Sequence, residues 1–232
     1  MLQTLTVFFG NMLLVFGALM PILNPPGHAP IFLTMTADYN SQERTILARR
    51  VGIYSFILLL ISMFIGSYVL EFFGVSLPIV RVAGGLLVAT AGWQLMSSGD
   101  DSHKSAGMLQ VGETRPSNDE LRERAFYPLT FPITVGPGSI TVAIALGAGF
   151  NGPGLQKFSM PLASLTAVAI TSYSLYLCYR HAERLLKLLG STGSIIFLRL
   201  SAFILMCIGI QIFWDGFSVL FGELLVHYLK PV

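Results

Sequence analysis

Long uncharged stretches alternate along this chain with short charged ones. Residues 1–37 and 125–156 contain no Asp, Glu, Lys or Arg, and residues 51–70 form another such run. A helix of about 20 apolar residues spans a bilayer, and on that measure the pattern predicts six spans, at about residues 6–36, 51–70, 81–98, 126–148, 159–179 and 197–221. Ahead of the second span, Asn40-Ser41-Gln42-Glu43 has the form of a capping box, starting that helix in water. Residues 99–124 are the one long polar stretch, with ten charged side chains between Asp100 and Arg124. They divide the chain into a first half (1–98), a solvated linker (99–124) and a second half (125–232).

Two of the predicted spans cannot be uninterrupted helices. The first holds Pro21-Ile22-Leu23-Asn24-Pro25-Pro26-Gly27, and the fourth holds Pro132-Ile133-Thr134-Val135-Gly136-Pro137-Gly138. Proline has no N–H and clashes with the preceding turn, so each motif predicts a break. The two motifs align at Pro21/Pro132, Ile22/Ile133, Pro26/Pro137 and Gly27/Gly138. The third and sixth spans also match, from Arg81 and Arg199 to Gly92-Trp93-Gln94 and Gly209-Ile210-Gln211. Each half thus reads as a broken helix, a plain helix and an Arg…Gly-x-Gln helix. Three spans per half is an odd number, so the second copy enters the membrane upside down. The expectation is an all-α membrane protein of two inverted three-helix repeats, the plan of many secondary transporters.

Basic residues orient it. Ten Lys and Arg fall in the loops after spans one, three and five, against Lys157, Lys230 and Arg81 on the other side. That asymmetry predicts odd loops in the cytoplasm and both termini outside. Met1-Leu2-Gln3-Thr4 lacks a basic n-region, so the first span is read as retained.

Composition agrees and narrows the class. Only 11% of the 232 residues are charged, against about 25% in soluble domains. The net charge of +2, with no basic patch interleaved with aromatics, argues against nucleic acid. Cys178 and Cys207 both lie in apolar runs and suggest neither a disulfide nor a metal site. No nucleophile–base pair or nucleotide-binding loop is present, so no enzyme, cofactor or metal is expected. The partners expected are a small-molecule substrate, the lipid bilayer, and a coupling proton or sodium ion.

Candidate chemistry lies at the breaks. Asn24 is placed to cap a new half-helix with Pro25 at its first position. Gly136 and Gly138 allow close approach, with Ser139 as a candidate cap. Each half-helix would present free N–H groups and a positive dipole end, suited to a carboxylate. The expected substrate-binding residues are Asn24, Pro25, Gly27, Thr134, Gly136, Gly138 and Ser139, with Asn24 facing Gly138. His28 is a candidate for a coupling proton, or is a hydrogen-bonded structural histidine. Gln94 and Gln211 are expected to bond across helices, Gly84 and Gly85 to permit close packing, and the tyrosines at 173, 176 and 179 to pack or anchor.

At these residues the chain resembles the MarC family of integral membrane proteins. Asn24-Pro25-Pro26-Gly27-His28-Ala29-Pro30-Ile31-Phe32 fits its N-P-x-G-x-x-P-x-F pattern, Gly136-Pro137-Gly138 its G-P-G, and Arg81-Val82-Ala83-Gly84-Gly85 its R-x-x-G-G. The resemblance implies six spans in a bacterial inner (cytoplasmic) membrane and transport of small neutral amino acids such as glycine and alanine. Two alternatives stay open at this point: an exporter of hydrophobic compounds or drugs, and a non-transporting membrane scaffold.

Overall fold

The computed structural model describes residues 2–97, 117–151 and 156–229. All secondary structure among them is helical. The elements are α1 (Leu2–Leu23), α2 (Pro25–Met35), α3 (Ser41–Phe72), α4 (Leu77–Ser97), α5 (Asn118–Arg124), a wide π-helical segment (Ala125–Thr134), α6 (Pro137–Gly147), a short 3-10 turn (Ala148–Asn151), α7 (Gln156–Arg180) and α8 (Ala182–Leu229). Four stretches are long and apolar enough to cross a membrane: Thr4–Met35, Ser41–Phe72, Ser159–Arg180 and Ile195–Val226. The bent pair Asn118–Thr134 and Pro137–Gly147 makes a fifth if it counts as one span. Large apolar side chains lie exposed on the outside of these helices, among them Leu13, Ile57, Leu162 and Phe203. Such a surface requires hydrocarbon around it rather than water.

Several helix ends differ from the expectation, because charge marks where hydrocarbon stops and not where a helix stops. α3 is one helix from its capping box to Phe72. The Asn40 side chain accepts from Gln42 and Glu43 N–H, both at 2.9 Å, and Asn40 N–H donates to Glu43 at 3.0 Å. At ~1.5 Å per residue, its 32 residues exceed the roughly 30 Å of a bilayer core. The sixth predicted span lies inside α8, which continues back to Ala182 through an irregular Gly190 at φ 67°. Of the polar linker, residues 99–116 lie outside the described residues. Its end is a second capped helix, with Ser117 and Glu120 forming the capping box of α5.

Two apolar clusters form the interior. One gathers residues of α1, α3, α6 and α7 around Leu19, Leu59, Val142 and Val168. The other joins α2, the start of α3, α5 and the end of α7 through Phe32, Leu47, Leu121 and Leu175. α4 runs along α8 with its backbone almost touching: a Cβ on Gly85 would meet the Gly209 carbonyl, and one on Gly209 would meet the Gly85 carbonyl. Gly92 and Gly216 make the same close approach higher and lower on that pair. Gly84 instead faces Thr141 of α6. Small residues therefore set this helix pair, as membrane interfaces commonly require. Gln211 bonds Asp215 one turn along its own helix at 2.7 Å, and not across helices as expected.

The basic loops meet at one end. Arg44, at the start of α3, pairs with Glu183 of α8 and donates to the Thr36 carbonyl at 2.9 Å. Arg50 donates to the Asn118 carbonyl at 2.9 Å, and the Arg124 guanidinium lies 5.7 Å from the Tyr39 ring centre. Burial pushes the Tyr39 phenol above its ordinary pKa despite that guanidinium, so it stays neutral at physiological pH.

Candidate functional site

The first break is a helix with three backbone hydrogen bonds missing, two for want of an N–H and one diverted to a side chain. Asn24 adopts a left-handed conformation (φ 37°, ψ 62°) that asparagine tolerates better than most residues. Helical bonds continue on both sides of it, from Asn24 N to the Met20 carbonyl at 2.9 Å and from His28 N to the Asn24 carbonyl at 3.0 Å. Pro25 and Pro26 have no N–H, so the carbonyls of Pro21 and Ile22 lose their α-helical donors. Gly27 N–H turns to the Asn24 side chain at 3.2 Å. The Leu23 carbonyl that Gly27 would have served accepts from His28 Nδ1 at 2.8 Å. No free donor is left at the start of α2. The expectation of free N–H groups at both breaks therefore fails here: proline removes two and asparagine takes the third.

The second break is a corner. The chain turns by 73° between the π-helical segment and α6. Tyr127 and Phe131, each just before a proline, are extended, as the proline ring demands of its predecessor. Thr130 and Thr134 donate their hydroxyls to the carbonyls five residues back, Ala125 and Leu129, both at 2.6 Å. Gly136 is the N-cap of α6, with Pro137 at its first position and no side-chain cap. Ser139 is not the cap: its hydroxyl donates back to the Gly136 carbonyl at 2.9 Å. The N–H groups of Gly138 and Ser139 consequently lack an intrahelical acceptor and a capping side chain.

Both breaks open onto one cavity of about 190 Å³. His28 and Ile22 line it from the first break, and Pro132 to Thr134 with Gly136 to Ser139 from the second. Leu87, Val88 and Ala91 of α4 and Leu205 of α8 supply apolar wall. The mouth is exposed at Leu87, Ala91, Pro132 and Pro137. Of the residues expected at the site, Thr134, Gly136, Gly138, Ser139 and His28 lie in the wall. Asn24, Pro25 and Gly27 are buried behind it and are not among the lining residues, so Asn24 does not face Gly138 across the space. Gly138 is instead pressed against Val88, whose methyl a Cβ at 138 would strike.

Two contributors are not assigned to the site by the sequence, although Tyr179 is expected to pack or anchor. Val88 is one. The other is Tyr179, fully buried on α7, which bonds Thr134 at 2.9 Å and stacks on Phe32 with ring centres 4.6 Å apart. Thr134 already donates to Leu129, so Tyr179 is the donor in that pair. This bond ties the second break to α7, and the ring stack carries the tie on to α2. It also uses up much of the capacity expected of Thr134 toward a ligand.

A helical membrane protein with paired helix breaks around one small internal cavity is the class that fold and site define. The sequence profile of the MarC family of integral membrane proteins matches residues 9–221. A UPF0056 membrane protein of Methanocaldococcus jannaschii is 32% identical over 204 residues, covering 88% of this chain and 94% of that protein. The UPF0056 inner membrane proteins MarC of Salmonella typhimurium and Citrobacter koseri are each 30% identical over 207 residues, covering 85% of this chain and 90% of theirs. This chain belongs to the MarC family of integral membrane proteins. No solved structure matches it.

Proposed function

We propose that the protein is a secondary transporter of small neutral amino acids of the glycine and alanine kind, working by alternating access. The observation that carries this reading is the shared cavity, where residues of both breaks meet an apolar wall. Its volume of about 190 Å³ corresponds to roughly six waters at ~30 Å³ each. It is smaller than the roughly 300–1,000 Å³ of pockets for drug-sized ligands. The uncapped N–H groups of Gly138 and Ser139 suit a carboxylate at the positive end of α6.

The architecture we propose is two inverted three-helix repeats, with α4 as a sixth span. Its 21 residues reach about 31 Å, although Arg81, three glycines and Gln94 dilute its apolar character. The packing supports the repeat. Under a two-fold exchanging the halves, α4–α8 and α3–α7 are self-paired. The other main contacts come in matched sets: α1–α7 with the π-helical segment and α3, α2–α8 with α6–α4, and α2–α7 with α6–α3. The meeting of Arg44, Arg50, Arg124 and Glu183 at one end supports a common cytoplasmic side for the odd loops, with both termini outside. Relatives named inner membrane proteins support that membrane as the location.

Uptake of labelled glycine and alanine into proteoliposomes tests the reading. Saturable flux is expected, and no saturable flux over a broad amino-acid panel would refute it. One observation favours a second reading, export of hydrophobic compounds: the cavity mouth at Leu87, Ala91, Pro132 and Pro137 is apolar and exposed. That reading predicts competition by hydrophobic compounds and indifference to glycine.

A further inference from the structure

We infer that His28 receives the ammonium group of the substrate on Nε2, and that substrate and a proton therefore exclude one another at this nitrogen. The inference rests on the amino-acid transport reading and adds to it a binding partner and a coupling mode. Its first support is the hydrogen bond from His28 Nδ1 to the Leu23 carbonyl at 2.8 Å. A carbonyl only accepts, so Nδ1 carries the hydrogen, and in the neutral ring Nε2 is left as an acceptor. His28 stands in the cavity wall, and no hydrogen-bond partner for Nε2 is found among the described residues. The proline-deleted bonds of the first break leave the carbonyls of Pro21 and Ile22 without helical donors, and of these two residues Ile22 lines the cavity.

The second support is the contrast across the cavity. The first break offers acceptors and no free donor, whereas the second carries the unmatched N–H groups of Gly138 and Ser139. Acceptors on one wall and donors on the other match a zwitterion in one orientation, ammonium toward His28 and carboxylate toward α6. A cation or an anion alone would leave one wall unsatisfied.

Coupling follows from the lone pair. Nε2 has one, and it accepts either a substrate N–H or a proton. Protonated His28 is a donor on both nitrogens and repels an ammonium group. A carrier that crosses the membrane loaded with substrate one way and with a proton the other exchanges one zwitterion for one proton. Net, one positive charge moves opposite to each amino acid. Among the described residues, no other titratable side chain lines the cavity from α4, α6, α8 or the π-helical segment. From α7, Tyr179 reaches α2 through its stack on Phe32, but its hydroxyl is held by Thr134.

Binding of labelled glycine and alanine to the purified full-length protein, measured between about pH 5 and 8.5, tests this, because imidazole titrates in that range. One proton competing for the site predicts an apparent affinity falling about tenfold per pH unit on the acid side. His28→Gln, which keeps an acceptor and does not titrate, should bind more weakly with a flat pH profile, and His28→Ala should bind weakest. In proteoliposomes, an acid lumen should accelerate uptake and an acid exterior should slow it. A pH-independent wild type, or an unaltered pH profile in His28→Gln, overturns the inference and leaves the transport reading standing. No amino-acid binding at any pH overturns the transport reading itself, and the inference with it.

Discussion

At Asn24 the chain interrupts hydrogen bonds without dividing the span, since Thr4–Met35 still runs as one apolar stretch; at Gly136 it turns by 73°. The two motifs share Pro-x₄-Pro-Gly, so the difference comes from what fills the variable places. Asn24 supplies a side-chain acceptor that consumes the Gly27 N–H, and Pro25, where the second motif has Gly136, removes another donor. Gly136 has no side chain to cap with, and Ser139 spends its hydroxyl on a carbonyl. The two similar motifs thereby give two unlike breaks, one with no free donor and one with two uncapped N–H groups. Near-symmetry in sequence yields a polar axis across the cavity, which a symmetric pair of breaks would lack.

The sharpest way to break this comparison is at Gly138. A methyl there overlaps Val88, so Gly138→Ala should lower transport at least tenfold, and Gly138→Leu should abolish it. Val88→Ala in the same chain should restore much of the Gly138→Ala loss, because touching residues couple by about 0.5–3 kcal/mol in double-mutant cycles. Equal additive losses would mean that the Gly138 wall is not where the ligand sits. At the first break the expected effect is on stability. Asn24→Ala removes a cap at a left-handed position and should cost about 1–2 kcal/mol, read from thermal unfolding in detergent. Asn24→Gly should cost less, since glycine accepts that backbone. Both should leave substrate affinity within about twofold, Asn24 being behind the wall.

Tyr179→Phe keeps the stack on Phe32 and loses the donor to Thr134. A loss of about 1 kcal/mol in stability is expected, with a slower rate if this bond holds the two breaks together during transport. The smallest effect is expected from Pro26→Ala, which returns one N–H to the start of α2. Transport within about twofold of wild type would fit an acceptor wall that does not depend on this proline alone. A large gain in affinity would show that the first break also holds the carboxylate.

Local sequence carried the breaks, the Asn24 cap and the Asn40 capping box, because each depends on residues within one turn. The Gln211–Asp215 pair was equally local, and its four-residue spacing was the signal for a bond along the helix. What sequence withheld was tertiary. Thr134 and Tyr179 are 45 positions apart, and nothing in either run marks the partner. Val88 is one of many valines in apolar runs, and only the packing of α4 on α6 sets it against Gly138. The donor balance of the first break, by contrast, could have been counted from Asn24-Pro25-Pro26-Gly27 alone: two residues without N–H and one side chain placed to take the third.

The most direct test is a structure of the protein with glycine or alanine bound. The carboxylate should sit on the N–H groups of Gly138 and Ser139, with the ammonium group within hydrogen-bond reach of His28 Nε2. A ligand reversed in the cavity, held by the start of α2, or bound outside the space between the two breaks would contradict the account.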